Sequence, residues 1–181
     1  MHREPLLNLI IDYSMRYSEE RETTDKFIEF VRRSPDCFKR ELVEGHITGS
    51  AWVVSEAGDK TLLTHHRKLD KWFQTGGHAD GLPDVANVAM KEAKEESGLT
   101  DLEFVSTGIF DVDIHEIPAR KTEPTHFHYD VRFAIRALGS DVPVISDESH
   151  DLKWVPLDEL ERYTQEESML RMARKWRNWK G

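Results

Sequence analysis

Apolar positions in the first part of the chain recur at helical spacing. Leu6, Leu9, Ile10 and Tyr13 predict a helix over Pro5 to Tyr17. The charged stretch Ser18 to Arg21 interrupts it, and Thr24 can cap a second helix carrying Phe27, Ile28, Phe30 and Val31. That helix should end near Ser34-Pro35. From Ile47 the pattern becomes strand-like. Trp52-Val53-Val54 and Thr61-Leu62-Leu63-Thr64 flank a hairpin turn at Ala57-Gly58-Asp59, and Trp72-Phe73-Gln74 reads as a short strand ending at Gly76-Gly77. Pro83 to Ser97 is helical and closed by Gly98. Leu102 to His115 and His126 to Ala137 read as two long strands joined by the loop Glu116 to Thr125. Leu152 to Val155 is a further strand, Pro156 opens a short helix through Leu160, and Glu167 to Trp179 is an amphipathic helix. This order predicts an α+β fold with a mixed or antiparallel sheet, and excludes a run of βαβ units. Residues 1–45 read as a helical extension packed on a domain spanning 46–181.

The helix after Pro83 departs from simple amphipathicity. Val85, Ala86, Val88, Ala89, Met90 and Ala93 fall in one arc, with Asn87, Lys91 and Lys94 opposite. Glu92 and Glu96 fall inside the apolar arc and Glu95 at its edge. Their spacing places all three carboxylates on one face, where uncompensated charge is costly. A hard divalent cation would neutralise them. A solvated Glu/Lys helix with ordinary pairs such as Lys91 with Glu95 is the plainer account. The glycines before the helix, Gly76, Gly77 and Gly81, favour the ion, because such a loop brings backbone carbonyls to a metal and amides to an anion.

Composition narrows the function classes. The 181 residues carry 25 Lys and Arg against 34 Asp and Glu, a net charge of −9 that repels phosphate backbones and argues against a general nucleic-acid binder. A small anionic substrate stays compatible, since a bound cation inverts the local field. Cys37 is the single cysteine, so neither an internal disulfide nor a cysteine-based zinc site can form, and a reduced, cytoplasmic protein is expected. No apolar run approaches the ~20 residues that span a bilayer, and the N-terminus lacks the pattern of a secretion signal.

The segment Gly77 to Leu99 resembles the signature of the Nudix hydrolases, which runs from a glycine through a Glu to Arg-Glu-U-x-Glu-Glu-x-Gly-U. Gly77 stands at the first glycine and Lys91-Glu92-Ala93-Lys94-Glu95-Glu96-Ser97-Gly98-Leu99 at the closing half. Leu62-Leu63-Thr64 before the loop and Trp154-Val155-Pro156-Leu157-Asp158-Glu159-Leu160 after it are also typical of the family, so the resemblance covers roughly Gly45 to Leu160. Two positions depart from it. The first signature Glu falls on Pro83, and the signature Arg is Lys91. Both brace the loop in the family, and Asp80 or Asp84 can take over part of that role. The Gly-Gly-His-Ala-Asp-Gly loop resembles a subgroup variant.

The resemblance implies a Nudix α/β/α sandwich with a mixed sheet, here with the N-terminal helical extension. It implies Mg²⁺- or Mn²⁺-dependent hydrolysis of a diphosphate linkage in a nucleotide-like or other organic diphosphate. Glu92 and Glu96 are then direct metal ligands, Glu95 a ligand or orienter, and a carbonyl of Gly76 or Gly77 completes the shell. The general base is one of these glutamates or Glu148 on a later loop. A non-catalytic Nudix domain that senses a nucleotide-like ligand is the alternative.

Candidates for substrate contact are His65, Arg67, His78, His126, His128 and Arg132. His65 and Arg67 belong to the basic cluster Thr64-His65-His66-Arg67-Lys68. Asp111, Asp113 and His115 alternate with apolar residues in one strand, as do His126, His128, Asp130 and Arg132 in the next. If these strands pair, their polar faces lie together, and His115, His126 and His128 converge as a second metal site or as substrate contacts. In the last helix, Arg171, Arg174, Lys175, Arg177 and Lys180 lie opposite Met169, Leu170, Met172, Ala173, Trp176 and Trp179. A docked helix with snorkelling basic side chains is favoured over a nucleic-acid or membrane patch. Trp176 and Trp179 are candidates for a homodimer interface.

Overall fold

The pattern of period two from Gly45 onward builds a sheet, and the helices supply apolar stripes to cover it. The structure, a computed structural model, describes residues 2–67, 70–119, 124–139, 142–144 and 149–179. The N-terminal helices are α1 (Glu4–Arg16) and α2 (Arg21–Arg33). They are followed by strands β1 (Gly45–Val54), β2 (Lys60–His66), β3 (Lys71–Phe73) and β4 (Thr75–His78). Helix α3 (Val85–Ser97) precedes β5 (Leu102–Phe104), β6 (Asp111–Ile117), β7 (His126–Ala137) and β8 (Ser149–Pro156), and α4 (Glu167–Arg177) closes the fold.

The eight strands form one mixed sheet. β1 and β7 are parallel, from Gly45↔Phe127 to Val54↔Arg136. The other pairings are antiparallel: β4 and β2 flank the other side of β1, β6 and β5 pair with β7, and β3 and β8 pair with β2. Two apolar clusters cover the sheet. One joins Leu6 and Ile10 of α1, Phe27 and Phe30 of α2 and Val85 and Ala89 of α3 to Ile47, Ala51, Val131 and Phe133. The other joins Met169, Met172 and Trp176 of α4 to Trp52, Val54 and Ala134. Because successive strand residues face opposite ways, odd positions of β1 face α3 and even ones face α4. The fold is thus an α+β sandwich with helices on both faces, as the resemblance implies, and the N-terminal helices share its first core.

Several elements differ in detail from the sequence expectation. Thr24 does not cap α2: a 3₁₀ turn at Ser18–Glu20 feeds directly into the helix at Arg21, and the Thr24 hydroxyl donates to Arg21 O at 3.1 Å. The stretch Leu102 to His115 is two strands. Val105 N–H donates to Ala134 O and Phe110 N–H to Arg132 O. One chain advances five residues while β7 advances two, so the Ser106–Gly108 turn loops out. After Pro156 the chain turns before a 3₁₀ helix at Leu160–Arg162, where the sequence pattern predicts a helix from the proline itself.

Candidate active site

Asp84 caps α3 by accepting from Asn87 N–H at 3.1 Å, and Gly98 closes the helix with φ 69°, the left-handed conformation glycine adopts without strain. Val85, Val88, Ala89 and Ala93 are buried, and Asn87, Lys91 and Lys94 are exposed. That rotation leaves Glu92 and Glu96 half-buried toward β4 and Glu95 in solvent. Gly76 N–H donates to Glu96 Oε1 at 2.8 Å. A Cβ on Gly77 would lie 2.5 Å from Glu92 Cδ, so only glycine lets the carboxylate rest against the strand. On the opposite face of β4, a Cβ on Gly76 would lie 2.2 Å from Ser50 Oγ. Lys91 Nζ reaches Glu92 at 3.3 Å and Glu95 at 2.9 Å.

This donor set is all oxygen, and the hollow left by Gly77 is filled by a carboxylate. Both features fit a hard divalent cation. The loop is braced from outside the signature. Arg40 forks onto Asp80 at 2.6 and 2.5 Å, Gly81 N–H donates to Phe38 O, and Ala79 N–H donates to Ile47 O. Asp80 thus ties the loop to the segment before β1, and Asp84 caps α3.

The even face of β1 meets β7, β6 and β4 in three polar rows. His115, His128 and His46 are in register across β6, β7 and β1; Asp113, Asp130, Thr48 and His78 form the next row; Asp111, Arg132, Ser50 and Gly76 form the third. The β6–β7 pairing anticipated from period two is present. Its third row corrects the expectation for Arg132. This side chain is 3% exposed and held by Asp130 at 2.7 Å, Asp111 at 3.1 Å and Asp113 at 3.4 Å, so it is an internal counter-charge and not a surface that meets substrate. Thr48 and Ser50 donate to Asp130 at 2.8 and 2.7 Å.

Helix α4 completes the same network. Arg171 reaches Asp111 at 2.7 Å, and Lys175 reaches Asp111 and Glu20 at 2.6 Å each. Burial alone would raise the Asp111 carboxyl, but the Arg171 hydrogen bond and the charges of Arg132 and Lys175 override it and hold it below the usual carboxylate range. Asp113 is lowered by the same contest, with burial opposed by a hydrogen bond from His115 and by Arg132. A cleft of about 770 Å³ lies beside this network, lined by Arg16, Tyr17, Glu20, Arg171, Lys175 and Trp179; the Arg171 and Lys175 charges there are spent on Glu20 and Asp111. The helix is docked, as favoured over a nucleic-acid or membrane patch, but Arg171 and Lys175 point into the fold. Trp176 is likewise buried, packing on Phe110 and donating its indole N–H to Gly58 O at 2.8 Å, which leaves it out of any homodimer surface.

The histidine row is different in kind. The rings of His126 and His115 pack on His128 at 5.2 and 5.3 Å, and His46 stands 4.9 to 5.1 Å from His78, His126 and His128. Burial, then the neighbouring His78 and His126, lowers the His46 imidazole to about 4. His46 is absent from the sequence-based set because it belongs to β1, far along the chain from β7. The only signal for it was its place at the start of an even-numbered polar run. His65 lies near the end of β2 and Arg67 just after it; His65 stacks on Trp72 at 4.8 Å and meets Asp70 at 2.9 Å, and Arg67 is exposed. Glu148 lies outside the described residues.

Known proteins share this fold. A NUDIX domain family model matches residues 46–176. No curated protein matches the sequence significantly. Among solved structures, the chain is similar to a C. elegans Ap4A hydrolase (TM-score 0.63, 19% identity, covering 73% of this chain and 95% of that one). It is similar to a NUDIX-family hydrolase from Clostridium perfringens (TM-score 0.54, 25% identity, 74% and 97% covered). It is also similar to a UDP-X diphosphatase (TM-score 0.56, 14% identity, 99% and 94% covered), a match that takes in the N-terminal helices. With a glycine strand set against helix carboxylates, and a family match over most of its length, the chain belongs to the NUDIX domain family.

Proposed function

We propose that this Nudix pyrophosphohydrolase cleaves the diphosphate linkage of a nucleotide-like substrate with Mg²⁺ or Mn²⁺ held by Glu92, Glu96 and Glu95. The observation that carries the reading is the convergence of Glu92 and Glu96 on Gly76 and Gly77. A divalent ion bound there offsets phosphoryl charge and acidifies a bound water. The chain's own part is to fix that arrangement. Glu96 is anchored by the Gly76 amide, Glu92 is seated against Gly77, whose carbonyl is a further ligand candidate, and Lys91 spaces Glu92 from Glu95. The base that accepts the water proton is one of these glutamates or Glu148. Among the solved structures it resembles are proteins named for Ap4A and UDP-X, which supports a nucleotide-like substrate. His65, stacked on Trp72, and Arg67 are the candidates for contacting it from the end of β2.

A panel of diphosphates screened with Mg²⁺ and Mn²⁺ tests the activity. Glu96→Gln keeps an oxygen that can accept from Gly76 N–H, so the fold should persist while turnover falls at least ~10²-fold. Wild-type-like turnover in that variant would remove the glutamates from the chemistry. A wild-type protein that hydrolyses no diphosphate, yet melts higher with a nucleotide, would establish the sensor instead.

A further inference from the structure

We propose that His46, His78 and His128 form a second metal site, on the face of β4 opposite the glutamates, that takes one ion of the Zn²⁺, Co²⁺ or Ni²⁺ class. Three strands each contribute one imidazole, and their ligating nitrogens lie within 4.8 Å of one another. Metal–nitrogen bonds of about 2.0–2.1 Å in a tetrahedral shell hold nitrogens roughly 3.3 Å apart, so a bound ion would draw the three rings closer together. His46 is 3% exposed, and neither Nδ1 nor Nε2 has a hydrogen-bond partner among the described residues. A buried polar group without a partner is destabilising, and a ligand that engages the His46 ring offsets that cost.

The surrounding histidines have the orientation that supports metal ligands. His126 Nδ1 is 2.9 Å from Pro124 O, an acceptor only, so Nδ1 carries the proton and Nε2 carries the lone pair. His115 Nδ1 lies 3.3 Å from Asp113 Oδ2 in the same manner. Ligating imidazoles are held by such carbonyl and carboxylate partners, and His126, whose ring also packs on His46 at 5.1 Å, is the candidate fourth ligand. An imidazole set selects the later transition metals, whereas the oxygen set on α3 selects Mg²⁺ and Mn²⁺. The alternation of β4 therefore separates two chemistries: Gly77 faces Glu92, and His78 faces His46.

The test counts bound metal and so does not depend on hydrolysis. Full-length protein is stripped with a chelator and titrated with CoCl₂, then with ZnCl₂. The expected result is one equivalent of Co²⁺ with the intense visible bands of tetrahedral coordination, displaced by Zn²⁺. Glu92→Gln/Glu96→Gln should retain that equivalent, while His46→Leu and His128→Leu should weaken it at least ~10²-fold. Circular dichroism checks each variant, and His78→Asn, on the half-buried β4, replaces any that fails to fold. Absence of the tetrahedral spectrum in wild-type protein, its loss in the glutamate variant, or its survival in the folded histidine variants would overturn the site.

Discussion

One sheet face carries two polar clusters of opposite character. Around Arg132, every charge is matched: Asp130 accepts from Thr48, Ser50 and Arg132, and Asp111 accepts from Arg132, Arg171 and Lys175. Around His46, two rows away on the same strands, ring packs on ring and both nitrogens of the deepest imidazole lack a hydrogen-bond partner among the described residues. Both clusters are rich in ligand-type residues, but the first is buried around its arginine and the second buries only His46 among half-exposed rings. The difference is saturation. A buried polar group whose bonding capacity is filled by the chain holds the fold together, and one whose capacity is unfilled is open to a ligand.

The largest expected effect strikes the saturated cluster. Arg132→Met removes the counter-charge from the buried Asp111 and Asp130 and the half-buried Asp113 and should cost about 3–5 kcal/mol, lowering the melting temperature by roughly 10 °C. Should the variant melt like wild type and show only a raised KM, Arg132 would be a substrate contact after all and the contrast would collapse.

Acid should reach the same cluster next. The Asp111 carboxyl sits lower in the folded protein than its unfolded value of about 3.9, so the unfolded chain binds the proton first. The stability it contributes is complete above that value and is lost as pH falls below it. Denaturant midpoints from pH 6 to 2.5 should therefore drop steeply below about pH 4. A flat profile there would mean the carboxylates are not paired as described.

A smaller effect, of opposite sign, is expected at the unsaturated end. His46→Leu in metal-free protein removes an imidazole with no hydrogen-bond partner among the described residues and should raise stability by about 1 kcal/mol in urea unfolding. A loss of several kcal/mol would show that His46 is as fully bonded as Arg132. The smallest change is Arg40→Ala. Its fork onto Asp80 is about half exposed, and exposed pairs contribute less than ~1 kcal/mol, so thermal melting should barely move. A large drop would give this outer brace the weight reserved here for the buried network.

Local pattern alone determined most of the elements and gathered the residues of one candidate site. Period two marked β6 and β7 and placed Asp111, Asp113 and His115 on one face with His128, Asp130 and Arg132. Helical period put Glu92 and Glu96 on the flank of α3 that meets β4. Such features depend on residues within a turn or a strand of each other, and backbone geometry alone relates them. What tertiary structure decided was which distant residues complete each cluster. The parallel insertion of β1 beside β7 brought His46 to His128 and Ser50 to Asp130. The docking of α4 turned Arg171 and Lys175, which read as solvent-facing along the helix, into the partners of Asp111. Arg132 and His128 look alike in the sequence, two polar residues on one strand face. Only the neighbours supplied by β1, β4 and α4 fill the bonding capacity of the first and set beside the second an imidazole, His46, with no hydrogen-bond partner among the described residues, because periodicity fixes where a side chain points and not what the fold sets opposite it.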